Sequence, residues 1–384
     1  MKFDEIIDRR GTYSTQWDYI EDRFGPGTKE LTPFSISDTD FRCPQEILDA
    51  IIARTSHGIF GYSRWNHDDY KGAIKDWYKR RYNTEIESDW VVYSPNVIYS
   101  ISMLLEKLIG KSGKVITHTP KYDGFTKILK PYEVLEVKLS EDENGEFHTD
   151  FVELEKCFQK GANVFLLCNP ENPTGKVWKK EELKRIVELC NKYECTLISD
   201  DIHMDIARKE VTPVLNIDAT RCIIANSASK SFGTPALGGS YVIIPQKDIR
   251  EEFLTHLKEV DSLSSPTIFG VLSTITAYNK CEYWLDELNR YLTENCKYVV
   301  KELDGYKGIR VKIPEGTYLM WIDLTNCHVD LELFKKKLIE VGKVAIMSGE
   351  AYGDANRIRL NVGCPIAKVK IAVDAIKRAI EILQ

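Results

Sequence analysis

At 384 residues the chain is long enough to bury a large core and to divide into two domains. Its formal net charge of −6 gives no support for binding nucleic acid or an anionic membrane surface. Its ten cysteines are scattered without Cys-x-x-Cys pairs, which argues against a zinc site or a disulfide framework and leaves residues such as Cys222 as buried thiols. The start, Met1-Lys2-Phe3-Asp4-Glu5, has no apolar signal core, and no later run is long enough to span a bilayer, so a soluble cytoplasmic protein is expected.

The first stretch, to about Cys43, reads as irregular, with Gly25-Pro26-Gly27 as a break. Pro44 then opens a helix whose apolar positions Ile47, Leu48, Ile51 and Ile52 recur at helical spacing. The loop from His57 to Trp65 follows, where Tyr62 and Trp65 read as aromatics packed on the core. Asp89 to Tyr93 reads as a strand, and Ser94-Pro95-Asn96 leads from it into a helix over Val97–Leu108. Such a junction offers unpaired backbone N–H groups and a positive dipole end to an anion, although many turns of this kind hold none. Lys114 to Thr117 is the next strand, followed by Pro120-Lys121-Tyr122.

The middle third alternates helix and strand, as a parallel sheet with crossover helices should. Helices are predicted over Phe151–Gln159 and Lys180–Tyr193, the latter with Leu183, Ile186, Val187 and Leu189 inside. Three apolar strands end in polar residues with chemical potential. Asn163 to Leu167 runs into Cys168-Asn169-Pro170-Glu171-Asn172-Pro173-Thr174-Gly175, Thr196 to Ile198 into Ser199-Asp200-Asp201, and Cys222 to Ala225 into Ser227-Ala228-Ser229-Lys230. The three-residue spacing of Asp200 and His203 lets both face one side if a short turn follows. A helix from about Tyr283 to Asp304 links to a C-terminal part in which Glu315 to Asp323 alternates as a strand. Leu331–Val341 and Ile366–Leu383 carry helical spacing, and Asn356 to Asn361, with Arg359, lies between them.

In open α/β sheets the ligand crevice lies beyond the carboxyl ends of the strands. Three parallel strands there would bring the Lys230 amine, the Asn172 amide and the Asp200 carboxylate together. That set suits pyridoxal 5'-phosphate, which needs a lysine for its Schiff base and an anion for its pyridinium nitrogen. Asp200 would keep that nitrogen protonated, Asn172 would bond the ring oxygen, and Ser227 and Ser229 would bond the phosphate. Taken singly, each piece has a plainer reading as a surface lysine, a cap or a tight turn.

The chain resembles the class I/II aminotransferase superfamily, the pyridoxal-phosphate enzymes of fold type I, and within it the cystathionine β-lyase and cystalysin branch of C–S lyases. The resemblance covers essentially the whole chain. It is carried by Thr15-Gln16-Trp17-Asp18, Ser37-Asp38-Thr39-Asp40-Phe41, Gly61-Tyr62-Ser63-Arg64-Trp65 and Tyr122-Asp123-Gly124-Phe125. Further on it is carried by Ser199-Asp200-Asp201-Ile202-His203-Met204, Ser227-Ala228-Ser229-Lys230 and Arg359-Leu360-Asn361-Val362-Gly363-Cys364-Pro365.

The fold this resemblance implies is α/β, with a mostly parallel seven-stranded sheet and helices on both faces. It implies a large domain over residues 45–285, and a smaller α+β domain from residues 1–44 and 286–384. It implies that Val97 and Ile98 give backbone N–H groups to the phosphate and that Tyr122 stacks on the pyridine ring. Tyr62 would reach the phosphate of a neighbouring subunit in a homodimer with a shared site. His203 falls where many relatives carry a tyrosine that bonds the ring oxygen, the other reading being a structural histidine. Arg359 would fork the substrate carboxylate, a task lysine performs poorly, with Arg357 its local competitor. Gly238-Gly239 stands where many aminotransferases carry a phosphate-pairing arginine, and that departure favours the lyase branch. The expected activity is β-elimination from cystathionine or a related cysteine S-conjugate to pyruvate, ammonia and a thiol. An aminotransferase, or a non-catalytic regulatory protein on the same fold, are the alternatives.

Overall fold

The computed structural model describes residues 3–384. Its central sheet has eight strands: β1 (Val91–Ser94), β2 (Lys114–Thr119), β3 (Glu133–Glu141), β4 (Phe147–Thr149), β5 (Val164–Cys168), β6 (Thr196–Asp200), β7 (Cys222–Asn226) and β8 (Ser240–Ile243). Their order across the sheet is β1-β8-β7-β6-β5-β2-β3-β4. From β3 to β7 every pairing is parallel, whereas β8 runs antiparallel to both β7 and β1. The seven expected strands are therefore present, and β4 adds a three-residue antiparallel edge folded back on β3.

Strands β5 and β7 are buried throughout, and β6 is buried except at Thr196. A parallel strand covered by helices on both faces has no solvent side, which is why these segments are continuous apolar runs rather than alternating ones. Helices Val97–Ile109, Phe151–Gln159 and Lys180–Lys192 fall where the periodicity predicts them, to within a residue.

The C-terminal part builds a second, smaller sheet from β9 (Leu319–Asp323), β10 (Met347–Ser348) and β11 (Arg357–Asn361). Here β11 is central and antiparallel to both neighbours. Helices Leu331–Glu340, Ile366–Leu383 and Glu282–Leu303 pack with it. The N-terminal segment crosses to this unit, where Thr32–Pro33 pairs in parallel with Val344–Ala345. No helix among the described residues is long and apolar enough to cross a membrane.

Two strand expectations are corrected. Ser88–Trp90 is a turn of 3-10 helix, so β1 begins at Val91 rather than Asp89. The strand expected from Glu315 begins at Leu319, because Thr317 adopts a left-handed φ of 66° that extended backbone does not allow. The Gly316 and Thr317 N–H groups instead bond the carbonyls of Gly175 and Ile206, stitching this turn onto the loops after β5 and β6. Lys230 also does not sit at a strand end itself. It lies in the four-residue helix Ser229–Phe232 that follows β7.

Candidate active site

Because β5, β6 and β7 are parallel and in register, with Cys168 opposite Asp200 and Asp200 opposite Ala225, their carboxyl ends open on one edge of the sheet. A cavity of about 200 Å³ lies there. Its wall includes nine residues singled out from the sequence: Val97, Ile98, Tyr122, Asn172, Asp200, His203, Ser227, Ser229 and Lys230.

Lys230 is the only one of these that carries an amine. Burial, with the Arg359 guanidinium, holds its pKa below the ordinary lysine range against the opposing carboxylates of Asp38 and Asp200. Its Nζ donates to the Ser37 carbonyl. Asp200 is pushed up to about 7 by burial. Its Oδ1 accepts from the Ile202 N–H at 3.2 Å, and its other oxygen has no partner among the described residues. Burial, then the charges of Lys230 and Arg359, press His203 down to about 3, so its ring is neutral. The His203 ring stands edge-on to Tyr318 with centroids 6.0 Å apart, and its Nδ1 is buried without a partner.

On the opposite wall, the Asn96 side chain caps helix Val97–Ile109 by accepting from the Tyr99 N–H at 2.8 Å. The N–H groups of Val97 and Ile98 then have no acceptor among the described residues and stand at a positive helix end. The two serines divide in function. Ser227 Oγ donates to the Gly239 carbonyl at 2.9 Å and accepts from the Ser229 N–H at 3.2 Å, tying two loops together. The Ser229 hydroxyl has no partner among the described residues. Gly238, at a φ of 73°, lies so close to helix Ile268–Lys280 that a Cβ on Gly270 would fall 2.2 Å from its carbonyl oxygen.

Arg359, on β11, is buried behind the cavity wall and reaches it through Asn172. Its Nη1 donates to Asn172 Oδ1 at 2.9 Å and its Nη2 to the Ser35 carbonyl at 2.8 Å. The guanidinium lies 4.5 Å from the Tyr352 ring centroid, and its Nε–H is buried with no acceptor. None of the described carboxylates pairs with it, whereas the competitor Arg357 is saturated by Glu141, Asp323 and Asp354. A buried guanidinium without an anion is costly unless a ligand completes it. Tyr62 is placed apart from the cavity, its side chain fully exposed.

The Ser37-Asp38-Thr39-Asp40-Phe41 motif closes the cavity over Lys230, although sequence reasoning gave none of its residues a role in the site. Ser37 lines it, and its carbonyl also accepts from the Tyr318 hydroxyl at 3.2 Å. Asn361 Nδ2 donates to the carbonyls of Ile36 and Asp38, at 2.6 and 2.7 Å. Beneath this loop Arg9 bonds Asp38 and Asp40 at 2.9 and 2.8 Å, and Lys368 makes a buried ion pair with Asp40. The signal was the paired acids of Ser37-Asp38-Thr39-Asp40, but nothing local shows that their partners lie at both chain ends.

Residues 29–376 match the family model for aminotransferase class I and II. The chain is 40% identical to Protein MalY of Escherichia coli (strain K12), over 98% of each chain. It is 30% identical to cystathionine beta-lyase PatB of Bacillus subtilis (strain 168), over 99% of this chain and 100% of that one. Among solved structures, cystalysin from Treponema denticola, which contains a pyridoxal 5'-phosphate cofactor, superposes with a TM-score of 0.94 at 28% identity, covering 100% of this chain and 99% of the other.

Proposed function

This chain belongs to the class I and II aminotransferase family, and from that premise we propose that it is a pyridoxal-phosphate-dependent carbon–sulfur β-lyase. It splits cystathionine or a related cysteine S-conjugate into pyruvate, ammonia and a thiol. The cofactor's demands match what the site leaves open: a buried amine kept below its usual pKa, a carboxyl oxygen without a partner, and two free N–H groups at a helix end beside a free serine hydroxyl. When bound, pyridoxal phosphate supplies a sink for the electrons released at the substrate Cα.

The chain's own residues do the rest. Lys230 would hold the cofactor and, as the neutral amine that burial favours, would take the Cα proton. Asp200 would serve the ring nitrogen, and Asn172 would donate from Nδ2, because its Oδ1 is held by Arg359. Val97, Ile98 and Ser229 would hold the phosphate, Tyr122 would cover the ring, and neutral His203 would serve the ring oxygen. The observation that carries the reading is Arg359, a buried cation bonded to Asn172 and without a carboxylate of its own. It fits a substrate carboxylate, which either reaction would need, and the likeness to cystathionine beta-lyase PatB favours loss of the Cβ thiolate. Incubating the holoenzyme with cystathionine should release pyruvate and free thiol together. Transfer of the amino group to a keto acid without thiol release would instead make it an aminotransferase.

The same reading includes a cytoplasmic homodimer with a large domain over residues 45–285 and a small one from residues 1–44 and 286–384. Ile59, Phe60 and Tyr62 are exposed on a loop that Ser63 Oγ ties to the Pro266 carbonyl at 2.9 Å, and Val260 and Leu263, earlier in that second segment, are exposed as well. A second copy covering this apolar surface would carry Tyr62 toward its neighbour's phosphate. Sedimentation of wild type and of an F60D/V260D variant tests this, with a dimer expected for the first and a monomer for the second.

A further inference from the structure

We propose that Arg23 and Asp123 form a second recognition point at the mouth of this site, reading the amino-acid head that a substrate such as cystathionine carries beyond its sulfur. The proposal rests on the lyase reading and deepens it. In the small sheet Trp321, Arg359 and Met347 stand directly opposite one another across β9, β11 and β10. Directly opposed residues share a face, with their Cβ atoms about 4.5–5.5 Å apart. Met347 is thus the outward neighbour of Arg359, and its sulfur receives the only side-chain hydrogen bond that Arg23 makes among the described residues, Nη1 to Sδ at 3.8 Å. A thioether is a poor acceptor, and no carboxylate among the described residues forms an ion pair with Arg23.

Across the mouth, Asp123 opens helix Asp123–Ile128 directly after Tyr122. Its one ion pair is a 3.4 Å contact to Lys127, a lysine whose side chain is 73% exposed. The two walls meet where the Lys121 N–H donates to the Tyr352 carbonyl at 3.0 Å. Asp123 follows Tyr122 directly, and Arg23 is bonded to Met347, the strand neighbour of the Arg359 that lies 4.5 Å from the Tyr352 ring centroid; among the described residues Arg23 and Asp123 do not pair with each other. One free cation and one weakly held carboxylate therefore flank the rings that lead inward to Arg359. That arrangement complements a zwitterion: carboxylate toward Arg23, ammonium toward Asp123. An alkyl tail on sulfur offers these groups nothing.

The test compares kcat/KM for pyruvate release from L-cystathionine and from S-propyl-L-cysteine, which shares the near end and lacks the far head. In Arg23→Gln and in Asp123→Asn the cystathionine-to-propyl ratio should fall about three- to tenfold, mainly through KM, and Arg23→Lys should recover part of it. A ratio unchanged in both variants, or an equal loss on both substrates, overturns the subsite while the lyase reading stands. A wild-type holoenzyme that releases pyruvate from neither substrate overturns the lyase reading itself, and the subsite with it.

Discussion

Replacing Arg359 with lysine keeps the charge and removes the fork. In the wild type Nη1 and Nη2 each spend one N–H on an anchor, Asn172 Oδ1 and the Ser35 carbonyl. The remaining N–H groups, the buried Nε–H among them, stay available to a carboxylate. A lysine ammonium that satisfies the same two anchors has one N–H left, and it forfeits the guanidinium's contact with the Tyr352 ring. The substrate carboxylate then loses one charge-assisted hydrogen bond, about 2–3 kcal/mol, or roughly 30- to 160-fold in kcat/KM. The carboxylate keeps its charge throughout the reaction, so the loss should fall mainly on KM. Continuous pyruvate assay with cystathionine, at saturating cofactor, measures both constants. A variant within threefold of wild type would show that Arg359 does not hold the carboxylate.

Three further outcomes are expected. Burial pushes Asp200 up to about 7 in the folded chain, against an ordinary 3.8 for an aspartate, so the cofactor-free protein binds a proton there that the unfolded chain has released. The stability this proton confers is complete below about pH 4 and is lost as pH rises through about 7, amounting to about 4 kcal/mol. Urea unfolding of the cofactor-free forms should show Asp200→Asn gaining on wild type between pH 5 and pH 8, and parallel curves would refute the burial argument. Glu171 is pushed up to about 8 by burial and accepts from Thr174 Oγ1 at 2.9 Å, so it is protonated at neutral pH. Glu171→Gln should match the wild-type melting temperature at pH 7 and exceed it at pH 9, whereas a large loss at pH 7 would mean the group is ionised. Lys368→Met strands Asp40 with only Arg9 and the Trp17 Nε1–H, at 2.8 and 3.3 Å. Denaturant unfolding at pH 7 should show a loss of about 2–3 kcal/mol, and an unchanged midpoint would mean that Arg9 alone suffices.

The parallel core was legible because burial on both faces forces its strands to be unbroken apolar runs, so β5, β6 and β7 announce themselves together with the polar residues at their ends. The helices were legible by spacing, as in Ile366–Leu383. What stayed hidden was set by contacts between distant segments. Nothing near Thr317 marks a left-handed residue, since its conformation is fixed by bonding to Ile206. Arg359 meets Asn172 across 187 positions, and Lys368 meets Asp40 across 328. The family resemblance gave Arg359 its part but not the aromatic floor under it, because Tyr352 lies in a short turn with no local pattern.

The central claim is that one amine, on Lys230, binds the cofactor's aldehyde. Borohydride reduction of the holoprotein, followed by peptide mapping, tests it most directly. The cofactor should be found fixed to the peptide containing Lys230. Attachment to any other lysine, or no attachment, would contradict the claim.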